Sequence, residues 1–263
     1  MILVALFIFG LIIGSFLNVV ILRLPKEHSL SGRSVCPHCG HMLESEDLVP
    51  LFSYLFLKGR CRYCKSKISP RYFIIELLTG LLFLFTGLCF FPVSSLGWAI
   101  LLRALFVVAI LIPVFVVDLE HYLILDKVLL FGDIGILGFN LILDLLQKNF
   151  SLPTSYLISG LIAAAAIFIL FFALWLFSKG RALGFGDVKL VAFLGLALGW
   201  PQIWVGLFLS VVMGGMAGTV LLISGKKTLK SRVPFGTFLS LGAFLALFFG
   251  NFLLHWYLAL LGF

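Results

Sequence analysis

The sequence predicts an all-α polytopic membrane protein of about eight transmembrane helices, and three observations carry that reading. Of 263 residues, 62% are hydrophobic and only 11% are charged, whereas soluble domains run about 45–50% apolar and about 25% charged. The apolar residues fall into successive runs near the length of about 20 that a bilayer crossing requires. The charges collect in the short segments between those runs. A mean hydropathy of +1.20 excludes a soluble globular enzyme, a disordered tail and a disulfide-stapled mini-protein. The net charge of +8 is not the footprint of a nucleic-acid reader, because basic residues scattered over short connections set orientation instead of lining a groove. The expected surroundings are a lipid bilayer, with no nucleic acid.

The first run, 1–22, lacks a basic segment before it and has its first charge, Arg23, behind it, so it reads as a span and not as a cleaved signal. A polar segment, 23–71, follows. Seven further spans are expected at 72–91, 96–117, 127–146, 153–178, 188–200, 202–224 and 236–258. The sixth is short. Trp200-Pro201 separates it from the seventh, since proline suits a turn and not a helix interior. The chain divides accordingly into a first helix at 1–22, a four-cysteine module at 23–71 and a seven-helix membrane domain at 72–263.

Lysine and arginine counts orient the spans. Nine basic residues lie in 23–71, and further ones mark three connections: Lys127; Lys179, Arg181 and Lys189; and Lys226, Lys227, Lys230 and Arg232. If these connections share one side, all basic residues but Arg103 and Lys148 fall there. The positive-inside rule makes that side cytoplasmic and puts both termini outside a plasma membrane.

The polar segment reads Cys36-Pro-His-Cys39, then Cys61-Arg-Tyr-Cys64 after 21 intervening residues. Two such knuckles supply four thiolates from two tight turns, enough to close a tetrahedral shell around Zn²⁺. A reducing cytoplasm argues against disulfides, and no βα context supports a redox pair. His38 and His41 are possible substitute ligands, though four sulfurs already fill the shell. Binding free energy of the metal would supply much of the fold of so small a module. The fold class is therefore an all-α membrane protein with a small cytoplasmic zinc-binding loop module.

Seven of the eleven acidic residues lie in or beside spans, where ionisable groups are functional candidates. Asp118 ends the run Leu111-Ile-Pro-Val-Phe-Val-Val117, and Asp187 opens the sixth span in Gly184-Phe-Gly-Asp187-Val-Lys189. Span counting puts both at similar depth on the cytoplasmic side. Two carboxylates that meet in an apolar site share a proton, so one acts as base on a water while the other donates to a scissile carbonyl. Gly184 and Gly186 allow close backbone approach. Asp126 suits a helix N-cap, Lys189 suits a snorkelling position, and Glu76 is expected to pair with Arg71 or a lysine. Asp144 reads as an interfacial residue, Asp133 as facing the site or pairing with a polar neighbour. Glu27, Glu44, Glu46 and Asp47 read as solvating charges.

Together these segments resemble the bacterial type IV prepilin peptidase family, bifunctional leader peptidases and N-methyltransferases. The resemblance spans nearly the whole chain. It rests on Gly14-Ser-Phe-Leu-Asn18 through Arg23-Leu-Pro25, the four-cysteine loop with Asp47-Leu-Val-Pro50 and Lys58-Gly-Arg-Cys61, Ser69-Pro-Arg-Tyr72 with Glu76 and Thr79-Gly80, Asp118 with Asp126, the Gly184–Lys189 segment, and Val233-Pro-Phe-Gly236. The family pattern has proline where this chain has Leu125. The resemblance implies that Asp118 and Asp187 are the catalytic pair of an aspartyl endopeptidase. It also implies that the enzyme removes the basic leader of prepilins or pseudopilins, substrates with a transmembrane helix, and then methylates the new N-terminus with S-adenosylmethionine. An ion- or proton-coupled transporter with a regulatory zinc loop is the alternative, but it calls for midplane carboxylates and inverted repeats, and no repeat is visible.

Overall fold

The computed structural model describes residues 1–148, 154–181, 183–225, 233–260 and 262. The expected basic cluster Lys226, Lys227, Lys230 and Arg232, and residue 153 at the start of the fifth span, lie outside the described residues. Those described form nine α-helices and no strand. They are α1 (Ile2–Arg23), α2 (Phe52–Phe56), α3 (Arg71–Cys89), α4 (Ser95–His121), α5 (Asp126–Gln147), α6 (Tyr156–Ser178), α7 (Phe185–Leu198), α8 (Gln202–Ile223) and α9 (Phe235–Leu260). Seven are long and apolar enough to cross a membrane, namely all but α2 and α7. The short sixth span is α7. At 14 residues it rises only about 21 Å, less than the roughly 30 Å of hydrocarbon.

The chain forms two compact units, Met1–Cys89 and Phe90–Phe263. In the first, α1 packs along α3. Small residues permit the approach. A methyl group on Gly14 would lie 2.8 Å from the Glu76 Cα, and one on Gly10 would lie 2.8 Å from the Gly80 Cα. From the last turn of α1, Arg23 donates to the carbonyls of Ser29, Leu30, Ser31 and Arg33, which folds the start of the polar segment over the helix end.

In the second unit α4 is the most deeply buried span. It packs against α5 and α9, while α7 packs against α5, α6 and α9, and α8 lies along α9. Glycine, alanine and serine line these seams, as expected where lipid is as apolar as the helix surface and close packing drives association.

Several polar residues do other work than the sequence suggests. Asp144 is fully buried and accepts from Ser155 Oγ (2.6 Å) and from the Tyr156 and Leu157 amides (2.7 and 3.0 Å). It therefore satisfies the orphan donors at the start of α6 and is no idle interfacial charge. Asp47 has a side chain only 4% exposed and accepts from Arg62, Tyr63 and the Glu44 amide. It is a hub of its loop, not a solvating charge.

Candidate functional site

Asp118 sits in the last turn of α4, whose end is closed by Tyr122 in a left-handed conformation donating its amide to the Asp118 carbonyl. Its carboxylate is buried and accepts two hydrogen bonds from one residue, the Thr237 amide at 2.5 Å and the Thr237 hydroxyl at 2.9 Å. Thr237 stands in the first turn of α9, where amides lack intrahelical partners and the helix dipole favours an anion. Sequence reasoning missed Thr237. The available signal was a threonine directly after Val233-Pro-Phe-Gly236 at the mouth of a span.

Asp187 stands in the first turn of α7 and is likewise buried. Its carboxylate accepts from the Gly184 amide at 3.2 Å, and its own amide donates to the Gly184 carbonyl at 3.1 Å. Both carboxyls lie beside the α4–α5 connection, near enough that the Asp118 charge is felt at Asp187 although 69 residues separate them in sequence. The backbone around them is close-packed. A methyl group on Gly236 would lie 3.0 Å from the Asp118 Cγ and from Ile124, and one on Gly186 would lie 3.1 Å from Ile124. The starts of α7 and α9 thus converge on the α4–α5 connection.

Asp126 and Lys189 belong to the same neighbourhood in roles the sequence did not assign. Asp126 does not cap α5; Leu125 holds that position, and its φ of −82° lies near the angle proline would impose. The Asp126 carboxylate instead takes both its oxygens to Lys189 Nζ at 2.8 Å. Lys189 also lies over the Phe185 ring, 5.2 Å from its centroid, so it is an ion-pair partner and not merely a snorkelling chain. Asp133 Oδ1 is buried with no hydrogen-bond partner among the described residues.

Glu76 is buried in α3 and accepts from the Leu51 amide at 2.9 Å. The expected pairing with Arg71 or a lysine is replaced by a tether from α3 to the loop that opens α2.

The four cysteines converge. Sγ atoms of Cys36, Cys39, Cys61 and Cys64 all lie within 4.8 Å of one another. Each knuckle makes the same pair of bonds: Cys36 donates its amide to His41 and accepts from Gly40, and Cys61 donates to Ser66 and accepts from Lys65. Four sulfurs about 2.3 Å from a tetrahedral Zn²⁺ stand about 3.8 Å apart. Cys36 and Cys64 are already at 3.9 Å, so the donor set fits zinc. Amides of Cys39 and His38 aimed at Cys36 bring its thiol down to about 6, and the Ser66 hydroxyl and amide lower that of Cys64. These two effects favour thiolates. At Cys39, however, the His41 amide is outweighed by burial and by the sulfurs of Cys36 and Cys64, which push that thiol up to about 11, so a metal's charge is what would hold all four as thiolates. His41 lies against the Tyr63 ring at 3.6 Å between centroids, and neither histidine joins the sulfur cluster.

The fold and these groups define a multi-pass membrane protein with two buried aspartates at helix ends and a four-thiol loop. Residues 8–90 match the bacterial peptidase A24 N-terminal domain, and residues 105–219 match the type IV leader peptidase family. Proteins named prepilin leader peptidase/N-methyltransferase are similar over most of the chain. The one from Aeromonas hydrophila is 33% identical, covering 96% of this chain and 92% of its own. That from Bacillus subtilis (strain 168) is 32% identical and covers 96% of each. A third, from Myxococcus xanthus (strain DK1622), is 38% identical over 84% of this chain and 63% of its own. The chain belongs to the prepilin leader peptidase/N-methyltransferase family. No solved structure matches it.

Proposed function

We propose that this protein is a membrane aspartyl endopeptidase that removes the basic leader of type IV prepilins or pseudopilins at the cytoplasmic membrane face and then N-methylates the exposed residue. The observation that supports the reading is two buried carboxyls, Asp118 at the end of α4 and Asp187 at the start of α7, gathered beside Ile124. One carboxylate takes a proton from a water held between the pair. The other, protonated, donates to the scissile carbonyl oxygen as the tetrahedral intermediate forms. Proton transfer to the leaving amine then completes hydrolysis. Thr237 and the Gly184 amide hold the two acids in place, and the Asp126–Lys189 pair ties together the helix starts beside them.

Cys36, Cys39, Cys61 and Cys64 would hold a structural Zn²⁺, which would fix the loop. S-adenosylmethionine, when bound, supplies the methyl group. With no strand among the described residues, a Rossmann-type βα cradle is not the means of holding it there.

Asp118→Asn and Asp187→Asn should each abolish leader cleavage by purified protein in liposomes, while thermal unfolding stays close to that of the parent. Near-normal processing by either variant would sink the pair assignment. Mass measurement of the processed N-terminus, with and without S-adenosylmethionine, tests methyl transfer separately; an unchanged mass would sink that half.

A further inference from the structure

Arg103 lies in the third turn of α4, some 15 residues from Asp118 and thus about 22 Å along the helix, at the other end of the second unit. It is nine-tenths buried. Its Nε donates to Asn140 Oδ1 at 2.7 Å and its Nη2 to the Ala197 carbonyl at 2.6 Å, while Asn140 in turn donates to the Leu196 carbonyl at 3.0 Å. These bonds close the C-terminal end of α7. They satisfy geometry but bring no full negative charge, since the helix end offers only about half of one. Among the described residues no carboxylate lies within ion-pair distance of Arg103. Asp144, one turn beyond Asn140, is committed to Ser155, Tyr156 and Leu157. A buried cation without an anion is costly to keep.

Beside it lies a cavity of about 220 Å³ whose lining is mostly polar and includes Arg103, Ser155, Tyr156, Ser159, Gln202 and Asn251, with no acidic residue. Arg103 Nη1, the Tyr156 hydroxyl and Asn251 Nδ2 make no hydrogen bond among the described residues, so donors remain on its wall. Trp200 and Trp204 are exposed at this end, as aromatic residues are at the headgroup level of a bilayer.

We propose that this cavity is a binding site for a phosphate group, with Arg103 as its buried cation. The group is carried either by a phospholipid headgroup or by free phosphate. The site is independent of the aspartate pair. Lipid-stripped full-length protein in neutral detergent, titrated with short-chain phosphatidylglycerol and separately with inorganic phosphate, should show a saturable rise in Tm. A rise with the lipid alone identifies the headgroup as the source; a rise with inorganic phosphate identifies the free anion. Gln202→Glu, which sets a carboxylate on the wall at nearly constant shape, should weaken the response at least tenfold, and Arg103→Gln should remove it. If neither titrant shifts the parent, or if Gln202→Glu responds as the parent does, Arg103 is only a cap on α7 and the proposal fails.

Discussion

A single side chain, Thr237, decides how Asp118 is presented. Its hydroxyl bond at 2.9 Å can be removed without disturbing the amide bond at 2.5 Å. Thr237→Val keeps the shape and the amide but deletes one donor to a buried carboxylate, a loss of about 1.5–3 kcal/mol for a bond to a charged group. If that bond persists in the transition state only in part, leader cleavage should fall roughly tenfold. Thr237→Ser should restore most of it. A shift in the pH profile of kcat/KM for the valine variant, absent for serine, would mark a positioning role; equal kinetics for all three would remove Thr237 from the site. The sequence displayed both aspartates because charges in apolar runs are conspicuous and span counting puts them on one side. Thr237 was hidden, for an ordinary polar residue 119 positions away has no periodic signal; only folding reveals which hydroxyl meets which acid.

Helix ends in this protein are organised by side chains from other helices, and burial sets how much each is worth. Asp144 serves α6 from within the packed unit, whereas the Asp126–Lys189 pair joins α5 to α7 where both side chains are partly exposed, 67% and 38%. Exposed pairs contribute about 0–1 kcal/mol. Removing Asp144 leaves two amides and a hydroxyl unpaired, at about 1–3 kcal/mol for each buried group that water fails to reach. Asp144→Ala should therefore lower the Tm in detergent by several degrees, and Asp126→Ala by little. The reverse order would show that the ion pair, not the cap, stabilises the helices. Sequence patterns located the elements themselves well: Trp200-Pro201 does separate a short helix from a long one, with α7 ending at Leu198 and α8 starting at Gln202. What they lacked was the termini's partners. Asp144 looked interfacial because a span end is where a charge is cheap, yet it is fully buried against the next helix.

For the molecule as a whole, the orientation we propose puts the loop that enters α3 on the cytoplasmic side, and Cys89 reports on it. This free, exposed cysteine ends α3, one full span away from the loop that enters α3 at Arg71. Span counting therefore sends Cys89 to the outer side. In intact cells a membrane-impermeant maleimide should label Cys89 alone. Opening the membrane should add little label, although Cys39 and Cys64 are exposed, because thiolates bound to zinc react slowly. Adding a chelator should then release one equivalent of zinc and expose four further thiols together, since one metal clamps both knuckles. Cys89 that labels only after the membrane is opened would invert the topology, and four reactive thiols before chelation would remove the zinc. The two failures are separable because Cys89 ends α3 and the other four cysteines lie in the loop before it.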